Sequence, residues 1–191
     1  MKGKYLFLAD GYEQTEALAT LDILRRAGID IPTVSIEDDS LVTSSHELTV
    51  VADMVWSEFL EEEMDGTTPE DVLIFPGGMP GTKNLAAKAE LMEIMKKHFS
   101  EGGLVACICA APGLVASQRP DVEGRKFTCF TGFVSYMTEK GAVYTAQPVE
   151  VDGNLITGKG AGRSIDFGLA IVRYLLGEEA ERTARQGLML L

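Results

Sequence analysis

The stretch ACICAAPG, residues 106–113, decides how this chain is read. It closes the apolar run GLVACI (103–108) and passes through two alanines into Pro112, a residue suited to the first turn of a helix. A short apolar run entered from glycine is the pattern of a buried strand. A strand running directly into a helix is the repeating unit of an α/β fold. Cys109 stands at the turn between them, where a side chain is pushed out over the end of the sheet.

The same alternation extends in both directions. KYLFLA (4–9) reads as a strand ending at Asp10-Gly11. Ala17, Leu18, Leu21 and Leu24 then recur at helical spacing, and Gly28 suits the position just past a helix end. IPTVSI (31–36) reads as a second strand. LTVVA (48–52) is extended and pairs in a hairpin with 41–43, and EEEMDG is a solvated helix end and loop. DVLIFPGG (71–78) is a buried strand entering a Pro-Gly-Gly turn. In the helix over 88–99, Leu91, Met92, Met95 and Phe99 form the apolar face, with His98 read as a surface residue among lysines. VEVDGNLIT carries Asp152-Gly153 between two extended pieces, a hairpin signal. GKGAGRS opens a helix in which Ile165, Leu169, Val172 and Leu176 share a face; Gly177 closes it and a charged helix follows.

Buried strands alternating with amphipathic helices predict one α/β domain over 1–191, with a mostly parallel sheet covered on both faces and right-handed crossovers. Ligands bind beyond the C-terminal strand ends in such folds. The informative segments are therefore DGYEQTE, PGGMPG, CAAPG and GKGAG.

Composition narrows the chemistry. The net charge of −12 disfavours nucleic acid and anionic membranes as partners. No apolar run approaches the ~20 residues of a membrane helix. The apolar part of MKGKYLFLAD is too short for an export signal, and three cysteines fit a reducing compartment, most simply the cytoplasm. His46 and His98 lie far apart, and no CxxC or HExxH spacing predicts a metal site. GKGAG has G-x-G-x-G spacing late in the chain, which fits neither a dinucleotide loop nor a P-loop, so no cofactor is expected.

Two readings of Cys109 stand side by side. It is a small buried hydrophobe, or it is a reactive thiol whose pKa the following helix N-terminus lowers. In the reactive reading, backbone N–H groups of Gly78 and Ala110 form an oxyanion hole. Glu16, just past the first strand, moves protons for the thiol. Cys107 points into the core by strand alternation, and Cys129 is packing.

The segments LADGYEQTEAL, DVLIFPGG, ACICAAPG and ITGKGAGRSIDFGLAIV, in this order, resemble the ThiJ/PfpI superfamily, in particular the branch of the parkinsonism-associated deglycase and its bacterial relatives. The resemblance implies a flavodoxin-like three-layer sandwich of the glutamine-amidotransferase-like kind, and a homodimer. It places the reactive cysteine at Cys109, its partner carboxyl at Glu16 and the oxyanion-hole glycines at Gly77 and Gly78. Arg26, His46 and the loop at Ala161 would face the other subunit's pocket. Ala110 stands where the protease branch has histidine, which argues against peptidase activity. Phe130, Ala161 and His46 also replace the histidine, proline and arginine of many relatives. The implied function is cofactor-free, cysteine-dependent conversion of small 2-oxoaldehydes or their glycation adducts, such as methylglyoxal to lactate. The alternative is an oxidative-stress sensor or redox-controlled chaperone using the same cysteine. A role in thiazole monophosphate biosynthesis ranks below both.

Overall fold

The computed structural model describes residues 1–190; Leu191, the last residue of the expected domain span, lies outside the described residues. The elements in chain order are β1 (Lys4–Leu8), α1 (Gln14–Arg26), β2 (Thr33–Ser35), β3 (Leu41–Thr43), β4 (Thr49–Val51), α2 (Trp56–Leu60), β5 (Val72–Phe75), α3 (Gly81–Ala87), α4 (Ala89–Ser100), β6 (Leu104–Ile108), α5 (Ala111–Leu114), β7 (Lys126–Phe127), α6 (Ser135–Thr138), β8 (Val143–Tyr144), β9 (Val149–Asp152), β10 (Leu155–Gly158), α7 (Ser164–Leu176) and α8 (Glu178–Gly187). The main sheet runs β2-β1-β5-β6-β10-β9. Its pairings are parallel except that of β9 with β10. This is the mostly parallel sheet that the alternating pattern predicts, in the flavodoxin-like arrangement that the resemblance implies.

Strand alternation divides the interior into two layers. Tyr5, Phe7, Leu73, Phe75, Val105 and Cys107 face one side, where they pack with α2, α3, α4 and α5. Leu6, Leu8, Val72, Ile74, Ala106 and Ile108 face the other side, against α1 and α7. β3 and β4 form the expected hairpin, and its turn is tied to the loop after β1. Ser45 N donates to Tyr12 O at 2.8 Å, and Ser44 Oγ donates to Gln14 Oε1 at 2.7 Å.

Three expectations need correction. His98 is not a surface residue; it is fully buried. Its Nδ1 and Nε2 lie 3.0 Å from Met1 O and Leu104 O, tying α4 to the start of β6, and burial lowers its pKa. Gly103 leaves room for the ring, since a Cβ there would collide with it. The neighbouring lysines pointed the wrong way because His98 continues the Leu91–Met95 stripe.

Of the apolar face assigned to α7, Leu169 and Val172 lie buried as expected, but Ile165 and Leu176 are 43% and 49% exposed, and the buried face is completed by a second set, Ser164, Phe167, Gly168 and Ile171. This second set has i, i+3, i+4, i+7 spacing, but Ser164 and Gly168 hide it from a search for apolar residues. Gly168 is where α1 comes close: a Cβ there would stand 3.0 Å from Ile23 Cδ1. Finally, the helix expected to open at Pro112 is the single turn α5 followed by a 3-10 turn, Ala116–Gln118.

Candidate active site

β1, β5 and β6 are neighbours in the sheet, so the segments after them meet at one edge. The residue after β6 is Cys109. Alternation would send it into the same layer as Val105 and Cys107. Its φ of 63° instead turns it to the opposite layer, beside the α1 and α7 packing. A left-handed conformation at a non-glycine residue is strained and persists only when the surroundings hold it. Here Cys109 N donates to Gly158 O at 2.9 Å, and Cys109 O accepts from Phe130 N at 2.9 Å.

Glu16 arrives from the first turn of α1. Glu13 caps that turn: its Oε2 accepts from Glu16 N at 2.7 Å, and its own N donates to Gly77 O at 2.9 Å. Glu16 is 1% exposed, and its Oε2 accepts from Gly77 N at 2.8 Å. Its Oε1 has no hydrogen-bond partner among the described residues. A Cβ on Gly77 would stand 2.6 Å from Cys109 Cβ and 3.0 Å from Sγ, and would collide with Glu16 Oε2. The carboxyl and the thiol therefore meet over Gly77, a position that only glycine fills.

The electrostatics follow from burial. Glu16 is raised to about 7, chiefly by desolvation, against the hydrogen bonds from Cys109 and Gly77 that favour its charged form. The Cys109 thiol is pushed up, by burial first and by the adjacent Glu16 next. The N–H groups of Ala110 and Gly78 pull the other way. The lowered thiol pKa expected from a helix N-terminus is thus not found. α5 is one turn long, so its dipole is small, and desolvation outweighs it. At neutral pH the proton rests on the thiol when Glu16 is ionised, and Glu16 is half-ionised near pH 7.

The assigned oxyanion-hole residues have separate tasks. Ala110 and Gly78 direct N–H groups at Sγ. Gly77 N–H is committed to Glu16. Gly78 has φ 96°, and a Cβ there would collide with the backbone of Tyr12 and Glu13. Among the described residues no group of three or more His, Cys, Asp or Glu side chains converges as a metal site would require. Among the described residues no helix is long and apolar enough to cross a membrane.

Residues 4–174 match the DJ-1/PfpI family. The chain belongs to that family. A DJ-1/PfpI relative from Danio rerio, the Parkinson disease protein 7 homolog, is 32% identical over 193 residues, covering 100% of this chain and 99% of the relative. The glutathione-independent glyoxalase DJ-1 of Schizosaccharomyces pombe is 28% identical over 177 residues, covering 91% of each. The chain spans only 38% and 42% of the length of DJ-1 homologs B and A of Arabidopsis thaliana. Among solved structures, a DJ-1 superfamily protein from Salmonella typhimurium superposes with a TM-score of 0.87 at 34% identity, covering 99% of this chain and 98% of that one. Toxoplasma gondii DJ-1, in an oxidized form, gives 0.86 at 28% identity with 98% of each chain covered.

Not every residue expected at the site of this DJ-1/PfpI chain gathers there. Arg26 ends α1, ten residues and about 15 Å along the helix from Glu16, and pairs with Asp22 at 2.6 Å. His46 is exposed in the β3–β4 turn, its Nδ1 3.2 Å from Ser45 Oγ. Ala161 opens a 3-10 turn in the loop after β10. Among the described residues none of the three hydrogen-bonds to Cys109 or Glu16. Glu13 is the residue that motif reading missed. The pattern Glu13-x-x-Glu16 resembles a capping box, but glutamate is an uncommon N-cap and gave no strong signal.

Proposed function

We propose that the protein is a cofactor-free thiol enzyme that converts small 2-oxoaldehydes to 2-hydroxy acids, with methylglyoxal to lactate as the reference reaction. The observation that carries this reading is the meeting of Glu16 and Cys109 Sγ over Gly77, with Gly78 and Ala110 N–H groups at the sulfur. The thiol adds to the aldehyde carbon as Glu16, a carboxylate above pH about 7, takes its proton. Glu16 passes that proton on to the carbonyl oxygen, which becomes the hemithioacetal hydroxyl and whose negative charge the two N–H groups stabilise during addition. Glu16 then moves the C1 hydrogen, as a proton, to C2 through an enediol. The product is a thioester of the 2-hydroxy acid. Water cleaves it, releasing the acid and restoring the thiol. The relative named as a glutathione-independent glyoxalase supports this class of reaction.

In a homodimer, Arg26, His46 and Ala161 would complete the partner's pocket. Glycation adducts of 2-oxoaldehydes are a second substrate group for the same chemistry. The test is lactate release from methylglyoxal without glutathione. The wild type is expected to turn over and Cys109→Ala is not; equal rates would sink the assignment.

A second reading draws on a different observation. Cys109 is partly exposed, whereas Cys107 and Cys129 are fully buried. Selective oxidation of Cys109 to the sulfinic acid would make the protein a sensor of peroxide. A sensor that does not turn over 2-oxoaldehydes would oxidise selectively and yet release no lactate.

A further inference from the structure

An aromatic ladder stands beside the thiol, and the reaction above makes no use of it. Phe130 follows the buried Cys129, and its backbone is bonded to Cys109 O at 2.9 Å. Its ring is 51% exposed, an unusual state for a phenylalanine held this firmly. The Phe133 ring lies 6.4 Å from that of Phe130, and Tyr136, 47% exposed, lies 5.9 Å beyond Phe133. The ladder is fixed to the turn that carries the thiol. A Cβ on Gly113 of α5 would stand 2.6 Å from Phe133 O and 2.7 Å from Phe133 Cβ.

The faces of the Phe130 ring are left open by glycine. A Cβ at Gly132 would reach only 3.7 Å from the ring, and one at Gly160 only 3.9 Å. Gly160 follows Gly158, whose carbonyl accepts from Cys109 N. The ring thus bridges the thiol loop and the loop after β10. Exposed apolar surface on a segment bonded to the turn that carries a reactive group attracts an apolar part of the substrate. An aromatic ring favours another ring in an offset or edge-on arrangement.

We propose that Phe130, backed by Phe133 and Tyr136, selects the substituent of the 2-oxoaldehyde, so that aryl 2-oxoaldehydes are preferred over methylglyoxal. The proposal rests on the thiol-enzyme reading above and names its substrate class. With phenylglyoxal the same steps consume one water and release mandelate. The carbon skeleton is kept, with C1 oxidised and C2 reduced within one molecule.

The test compares kcat/KM for phenylglyoxal and methylglyoxal, read as mandelate and lactate release, in wild type, Phe130→Leu, Phe130→Ala and Tyr136→Ala. Acid release is the readout because phenylglyoxal also modifies arginines. The wild type is expected to favour phenylglyoxal about tenfold, the size of one good aromatic contact. Phe130→Ala should bring the ratio close to one through a raised KM for phenylglyoxal. Phe130→Leu should fall between, and Tyr136→Ala should lower the ratio about twofold. A wild type that favours methylglyoxal, or a Phe130→Ala variant that loses both activities in equal proportion, overturns the proposal and leaves the thiol-enzyme reading standing. No acid from either aldehyde overturns both.

Discussion

Two thiols two residues apart in one strand end up in opposite circumstances. Cys107 continues the alternation of β6 and lies fully buried among the residues facing α2, α3, α4 and α5. Burial pushes it up to about 12, against a partial offset from the buried Arg119 guanidinium, which stacks 3.6 Å over Phe99. Cys109 breaks the alternation through one left-handed φ and emerges at the strand end beside a carboxyl. Both thiols are raised, so neither is set apart by an intrinsically low pKa. The difference is a proton acceptor within reach and an opening to solvent. On the proposed reading, reactivity at this turn is a matter of partner and access.

That contrast can be broken most directly by deletion. Cys109→Ala should lower kcat/KM for 2-oxoaldehydes by about 10³-fold or more. Cys107→Ala should keep it within about twofold and cost ~1 kcal/mol of stability through the small cavity left behind. Equal losses of activity would erase the distinction. Gly77→Ala comes next, because its methyl group would part the carboxyl from the sulfur. A 1 Å displacement of reacting groups is enough for a loss of about 10²-fold in kcat, measured with the variant's circular dichroism unchanged. Under mild peroxide, mass spectrometry should find two oxygens on Cys109 while Cys107 and Cys129 remain thiols.

The smallest effects sharpen the role of Glu16. Its pKa is raised from 4.5 to about 7, so the fold favours the neutral acid. The associated stability is fully present below pH 4.5 and is lost as pH rises through about 7. Glu16→Gln removes this dependence. Its stability relative to wild type should therefore improve between pH 4.5 and pH 8, by on the order of 3 kcal/mol in chemical denaturation. The wild-type rate should climb through pH about 7 as the carboxylate forms, and this limb should vanish in Glu16→Gln. A flat wild-type profile would remove Glu16 as the base.

Much of the scaffold was legible because buried parallel strands are short apolar runs, and glycines mark the ends of their helices. KYLFL, VLIF and LVACI fall in adjacent strands of the sheet. The β9–β10 hairpin was legible from its turn residues, Asp152-Gly153. What escaped were faces built from small or polar residues. Ser164 and Gly168 let α7 approach α1, and His98 satisfies two carbonyls from inside the core. At the site, the residue types and strand ends pointed to Cys109, Glu16 and Gly78. The direction of the thiol's pKa was not legible, because burial and the length of α5 are three-dimensional quantities. Nor was the division of labour between Gly77 and Gly78, since it depends on where each N–H points.

The left-handed backbone at Cys109 also sets what selection must keep doing at this position. Glycine adopts φ 63° without the penalty that a Cβ incurs, roughly 1 kcal/mol. Cys109→Gly should therefore melt a few degrees above Cys109→Ala. A lineage or a screen rewarded only for thermal robustness would drift to glycine there and lose the sulfur. On the proposed reading, a cysteine kept at this turn is kept for its sulfur, against a standing bias of the fold.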